Sequence, residues 1–194
     1  MPLPEGGFRR IGERERLVGP VIRLVTGTFV GPDGYTFERE IVRHLGAVCV
    51  VPLDADGDTV HCVRQYRAAL DTSVLELPAG KLDVPGEEVE AAARRELAEE
   101  VGFEAGRIFE LGRFYNSPGF TDELTHCFLA EDLLAVPHAR EGIEERHMII
   151  EPISLTRRFE LIGAGVLVDA KTIIGLSLAA EAVRMRRQGP VEEG

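Results

Sequence analysis

Residues 80–103 read GKLDVPGEEVEAAARRELAEEVGF: a turn-rich opening, a run of helix formers, and a glycine. The run AAARRELAEE predicts a helix from Glu88 to about Val101, and Gly102 stands where a C-terminal cap is expected. On such a helix, positions i, i+3 and i+4 share one face, so Glu96, Glu99 and Glu100 lie together. Three clustered carboxylates repel one another unless a cation lies between them. Hard divalent ions such as Mg²⁺ take oxygen ligands in this way and keep water and phosphate as their remaining ligands. Taken alone, a Glu-rich helix is more often a solvated face, and Arg94 or Arg95 could pair with Glu99 across a turn. The preceding loop, LPAGKLDVPGE (77–87), favours the metal reading, because its backbone can approach a ligand closely.

The same stretch closely resembles the Nudix box, GX5EX7REUXEEXGU with U apolar. Glu87 fills the first Glu; Arg95, Glu96, Leu97, Glu99, Glu100, Gly102 and Phe103 fill the rest. It departs at one point: six residues rather than five separate Gly80 from Glu87, an insertion within the loop that leaves the helix register unchanged. The resemblance implies an α+β fold, a mixed β-sheet sandwiched between helices (α/β/α). It also implies hydrolysis of a nucleoside diphosphate linked to another group. Glu96 and Glu100 would be the main ligands for Mg²⁺, with Mn²⁺ as a substitute, and the Ala79 carbonyl an additional one. Glu99 would be a further ligand with a catalytic part, or the partner of Arg95.

Flanking motifs resemble the ADP-ribose pyrophosphatase subgroup. They are VRQYRAAL (63–70) with LELPAG (75–80), SPGFTDE (117–123) with Pro118 sixteen residues after Gly102, and DAKTIIGL (169–176). The implied reaction is ADP-ribose plus water to AMP and ribose 5-phosphate. Arg67 would neutralise diphosphate oxygens. Glu76 would hydrogen-bond a ribose or adenine group, Gly80 would border the substrate, and Ser117, Gly119 and Asp122 would touch the terminal ribose. Phe120 reads as an anchor of that loop. The general base would come from REGIEERH (140–147): Glu144 or Glu145, with Glu141 behind them. The alternatives are the same chemistry on another nucleoside diphosphate sugar, or a non-catalytic ADP-ribose-binding regulator.

Around this motif, VGPVIRLVTGTFV (18–30) and YTFEREIVRHL (35–45) flank a Pro-Asp-Gly turn and predict a β-hairpin. GAVCVVPL (46–53) and TVHCVRQYR (59–67) predict a second strand pair about DADGD, and SVLELPAG (73–80) a short strand. Further strands are expected at 107–116, 124–134 and 146–155, and an amphipathic helix from about Asp169 to Gln188 with a basic end. The organisation expected is a flexible segment 1–16, a hairpin 17–45 that serves as a dimerisation element, and the Nudix hydrolase domain over 46–190. By resemblance the protein is a homodimer joined through its N-terminal strands.

Composition sets outer bounds. The chain has 194 residues, 44% of them hydrophobic, enough for a real core. A net charge of −11 opposes binding to nucleic acid or anionic membrane, so the expected partner is a small nucleotide sugar. No apolar run approaches the ~20 residues of a membrane span, and MPLPEGGFRRIGERER lacks a signal-peptide core, so a cytoplasmic location is expected. Cys49, Cys62 and Cys127 lie in apolar stretches and read as buried free thiols; the five histidines are not at ligand spacing.

Overall fold

Residues 47–52, AVCVVP, are apolar at every position, the pattern of a strand covered on both faces. The computed structural model describes residues 7–137, 139–140 and 142–188. Its strands in chain order are β1 (Arg9–Val18), β2 (Arg23–Val30), β3 (Thr36–Arg43), β4 (Ala47–Pro52) and β5 (Thr59–Arg67). They continue with β6 (Thr72–Glu76), β7 (Ala79–Lys81), β8 (Phe103–Tyr115), β9 (Leu124–Ala135) and β10 (Ile149–Ser154). The α-helices are α1 (Val89–Val101), α2 (Ile143–Arg146), α3 (Arg158–Gly163) and α4 (Ala170–Gln188). The chain forms two units: residues up to Gly46 with Tyr115–Leu124, and Ala47–Phe114 with the residues from Thr125 onward.

In the second unit every residue of β4 is buried. Side chains alternate across a strand, so Val48 and Val50 pack with Ala92, Ala93, Leu97 and Val101 of α1. Cys49 and Val51 pack on the other side with Leu176 and Ala179 of α4. The two helices therefore cover opposite faces of a mixed sheet of order β7-β4-β9-β8, in which β4 runs parallel to β9 and antiparallel to β7. This is the α/β/α arrangement expected, with one addition: β10-β5-β6 forms a separate antiparallel sheet. Pro152 is accommodated because β10 is an edge strand of that sheet. All three cysteines are free and buried. Burial holds the Cys62 thiol up at about 12, leaving it a protonated, unreactive core group.

The first unit contains a three-stranded antiparallel sheet, β1-β2-β3, rather than a hairpin. The flexible segment expected over residues 1–16 is corrected here, since Arg9–Val18 is a strand; residues 1–6 lie outside those described. The sequence concealed it because every residue of β1 is exposed. A strand covered on neither face carries no apolar alternation to read. The contiguous partition at 45/46 also misses that residues 115–124 belong with these strands. That loop is stitched to β3 by the Val42 N–H to the Phe120 carbonyl (2.8 Å) and the His44 N–H to Asp122 Oδ1 (2.9 Å).

Leu97 is fully buried between the carboxylate positions of α1. Leu97→Ala is expected to destabilise the protein by about 2–5 kcal/mol, read as a lowered denaturation midpoint with unchanged slope in a urea titration.

Candidate active site

Helix α1 is framed as its sequence requires. Glu88 is its extended N-cap residue, and Gly102 takes a left-handed conformation at φ 71°. The Gly102 N–H closes the last turn onto the Ala98 and Leu97 carbonyls. Between these ends, Glu96 and Glu100 point inward and Glu99 lies nearer the surface: 12% of the Glu96 side chain and 37% of the Glu99 side chain are exposed, and Glu100 is 4% exposed.

The preceding loop meets these carboxylates through its backbone. β7 pairs with β4, Cys49 opposite Ala79 and Val48 opposite Gly80, and the Ala79 N–H donates to Glu100 Oε2 at 3.0 Å. A Cβ on Gly80 would lie 1.9 Å from the Glu96 carboxyl carbon. Gly80 is therefore the cradle in which the Glu96 carboxylate rests. A side chain at Gly80 would displace that carboxylate.

Arg95 is the hub of the motif. Its Nε and Nη2 donate to the two oxygens of Glu87 at 2.9 and 3.1 Å. Its Nη1 donates to Glu96 Oε1 (2.7 Å) and Glu99 Oε2 (3.0 Å). The hydrogen bonds from Arg95 hold the Glu87 carboxyl below its usual range. Glu99 is thus joined to Arg95 through one carboxylate oxygen, as Glu96 is. Arg94 instead pairs with Glu90 and the Ala105 carbonyl.

Glu100 is in a different position. Burial, with the negative charges of Glu96 and Glu145 adding to it, pushes its carboxyl up to about 8, against the Ala79 N–H and the more distant charge of Arg67. Burial also raises Glu96, although Arg95 opposes the shift. Among the described residues no three His, Cys, Asp or Glu side chains are already gathered as a metal cage. The Glu96 and Glu100 carboxylates nonetheless fit a hard divalent cation, which supplies the positive charge that Glu100 lacks and the oxygen coordination it prefers.

The charge of Glu145 reaches both Glu96 and Glu100, whereas that of Glu144 falls on Tyr66. Of the two base candidates, Glu145 is the one whose charge acts on both Glu96 and Glu100; Glu141 lies outside the described residues. Glu145 Oε2 accepts the Gly142 N–H at 3.2 Å at the start of α2. Sequence reading missed Arg140. Its guanidinium donates from Nε and Nη2 to the Glu100 carbonyl (2.9 and 2.7 Å) and from Nη1 to the Met148 carbonyl (2.6 Å). It thereby anchors the segment carrying Glu145 to the end of α1. An arginine in a charged loop carries no signal that singles it out for this.

Arg67 Nε and Nη2 donate to Glu76 Oε1 and Oε2, both at 2.7 Å, and Lys171 Nζ also meets Glu76 Oε2. Glu76 is 2% exposed. Burial alone would raise its carboxyl, but Arg67 and Lys171 outweigh that and hold it below the usual range. The ribose or adenine contact expected of Glu76 is thus corrected: both oxygens are engaged inside the protein. Arg67 keeps 40% of its side chain exposed and Nη1 outside that pair, and its field reaches Glu100.

Ser117, Gly119 and Asp122 belong to the first unit. Asp122 Oδ1 accepts the His44 N–H and Oδ2 accepts Arg43 Nη1, each at 2.9 Å, so this carboxylate fastens its own loop rather than presenting free oxygens to a ribose. The Ser117 carbonyl closes a turn by accepting the Phe120 and Thr121 N–H groups, and the space beside Gly119 is open. The Phe120 ring is 55% exposed; its backbone, not its ring, anchors the loop.

Residues 43–155 match the NUDIX domain, more than half of the chain, and span the whole carboxylate motif and the loop carrying Glu144 and Glu145. The chain belongs to the Nudix hydrolase family. It is 38% identical over 164 residues to the ADP-ribose pyrophosphatase of Bacillus subtilis, covering 84% of this chain and 88% of that protein. It is 37% identical to the methanol dehydrogenase activator of Bacillus methanolicus, over 81% and 84% of the two chains. Identity is 34% to the ADP-ribose pyrophosphatase of Mycobacterium tuberculosis, over 93% and 86%. Among solved structures, an ADP compounds hydrolase superposes with a TM-score of 0.78 at 24% identity, over 95% of this chain and 97% of that one, a likeness of fold. Nudix hydrolases generally use divalent metal ions, in keeping with the carboxylates of α1.

A buried acid with a raised pKa lowers stability wherever the unfolded state has released its proton and the folded state still holds it. The cost of Glu100 is absent below the ordinary carboxyl value near 4.5 and grows as pH rises towards about 8. With chelator present, Glu100→Gln is expected to melt higher than the wild type at pH 8, by up to a few kcal/mol. The gap should close at pH 4.5 and shrink when a divalent cation is added. Calorimetric melts across this pH range check it.

Proposed function

We propose that this Nudix hydrolase cleaves the diphosphate bond of ADP-ribose, giving AMP and ribose 5-phosphate, with Mg²⁺ as its metal and Mn²⁺ as a substitute. The observation that carries the reading is a pairing: two buried carboxylates short of positive charge, Glu96 and Glu100, within the field of the half-exposed Arg67 guanidinium. A bridging diphosphate needs both, a metal on some of its oxygens and a fixed cation on others. The likeness to two ADP-ribose pyrophosphatases favours ADP-ribose among nucleoside diphosphate sugars.

Glu96, Glu100 and the Ala79 carbonyl would hold the metal, which supplies charge neutralisation and a lowered pKa for bound water. The protein groups do the rest. Arg95 keeps the Glu96 carboxylate aimed, since it grips Glu87 on one side and Glu96 on the other. Arg67 binds diphosphate oxygens. Glu145 takes the proton of the attacking water as a new P–O bond forms and the bridging P–O bond breaks. Arg140 holds the segment from which Glu145 acts. General-base assistance of this kind contributes about 10²- to 10⁴-fold.

The protein is proposed to be a homodimer joined through its first unit. The support is β1, exposed throughout, which carries the exposed apolar residues Ile11, Leu17 and Val18 and is preceded by the exposed Phe8. A cytoplasmic location is proposed from the free thiols; no helix among the described residues is long and apolar enough to cross a membrane.

Incubation with ADP-ribose and Mg²⁺ should release AMP and ribose 5-phosphate in equal amounts, and GDP-mannose should be cleaved more slowly, to GMP and mannose 1-phosphate. Glu145→Gln should lower kcat by about 10²-fold or more with a small change in KM, and Glu144→Gln should leave both near the wild type. Faster turnover of GDP-mannose would reassign the substrate. Full activity in Glu100→Gln would remove Glu100 as a metal ligand, and ADP-ribose binding by the wild type without turnover of any nucleoside diphosphate sugar would leave a binding regulator in its place. Sedimentation showing a monomer would remove the dimer.

A further inference from the structure

Helix α4 is docked onto the strand that carries Glu76. Asp169 caps it, with Oδ2 accepting the Thr172 N–H (2.9 Å) and hydroxyl (2.6 Å). The Thr172 hydroxyl oxygen in turn accepts the Leu77 N–H at 2.8 Å. This places Lys171, on the first turn, with its Nζ on Glu76 Oε2 and 3.0 Å from Asp169 Oδ2. The cluster is graded from core to surface: Glu76 is 2% exposed, the Lys171 side chain 14% and the Arg67 side chain 40%.

A count of charges gives Lys171 a purpose. Glu76 and Arg67 already form a two-bonded pair, sufficient to satisfy a buried carboxylate. Such a pair is neutral as a whole, and its field on a nearby anion is weak. A second cation on the same carboxylate leaves the triad one positive charge in excess. The additional carboxylate, Asp169, stands 3.0 Å from Lys171 Nζ and accepts the Thr172 N–H at the N-terminus of α4, where a dipole of about half a positive charge offsets part of its own, so the cluster keeps a net positive charge. The excess emerges at the triad's most exposed member, Arg67. Taking a second cation out of water is costly, and the Glu76–Arg67 pair is already satisfied without it.

We propose that Lys171 is a positioning residue for anion recognition: by sharing the Glu76 carboxylate, it leaves the Arg67 guanidinium with unneutralised positive charge for the substrate diphosphate. This rests on the reading of the site as a diphosphate hydrolase, but not on which nucleoside or sugar is attached.

The test is steady-state kinetics of the full-length protein with Mg²⁺ on whichever of ADP-ribose and GDP-mannose it cleaves. Lys171→Met should raise KM roughly tenfold, the weight of one charge-assisted contact, with a much smaller change in kcat. Lys171→Gln, which keeps a hydrogen bond without the charge, should behave alike, and Lys171→Arg should stay near the wild type. The double variant Lys171→Met, Glu76→Gln removes one charge of each sign and should bring KM back to within about threefold of the wild type. Unchanged KM in Lys171→Met and Lys171→Gln, or a double variant no better than the single, would overturn the proposal. Should the wild type cleave neither sugar, the proposed function fails by itself. The same variants are then compared by calorimetric binding of α,β-methylene ADP with Mg²⁺, with the same order of affinities expected and equal affinities overturning it.

Discussion

A carboxylate taken out of water must meet positive charge or hold a proton. The second unit of this Nudix hydrolase is arranged around three that are removed from water to different degrees of satisfaction. Glu76 has two cations and sits below its usual range. Glu96 has a share of one arginine and sits above it. Glu100 has one backbone N–H and is pushed up to about 8. The sequence of decreasing compensation runs from a structural ion cluster to a site in want of a cation, within one sheet-and-helix framework. The proposed chemistry is located where the compensation is incomplete.

That incompleteness is tolerable only because the surrounding parts cannot relax to relieve it. β4 is the common support, with α1 packed on its even-numbered valines, α4 on the opposite face, and β7 along one edge. Gly80 lets the backbone press against Glu96, and Arg95 prevents that carboxylate from turning away. Arg140 ties the Glu145 segment to the carbonyl of Glu100, the residue whose carboxylate most lacks compensation. Backbone and side chain of Glu100 thus serve two parts of one site.

The fold elements that were legible in the sequence are those with a local period. The helix formers of residues 91–100 and Gly102 define α1, and the spacing of Glu96, Glu99 and Glu100 follows from 3.6 residues per turn. The apolar run at β4 reports a strand buried on both faces. β1 was not legible, because a strand exposed throughout has no pattern distinguishing it from a polar tail. Asp122 and Glu76 were read as ligand-facing because carboxylates beside a motif invite that reading; their partners, Arg43 and Lys171, stand 79 and 95 residues away in the chain.

By itself, then, the sequence determined the helix, its carboxylate face, the loop before it and the family to which they belong, since each is written in neighbouring residues. The tertiary structure decided which acids are available for chemistry. It joined Glu99 to Arg95, closed Glu76 within a cation pair, fastened Asp122 to its own loop, and brought the charge of Glu145 to bear on Glu96 and Glu100. The reason is physical: a carboxylate's state depends on the charges and solvent around it in space, and those are supplied by residues that only folding brings near.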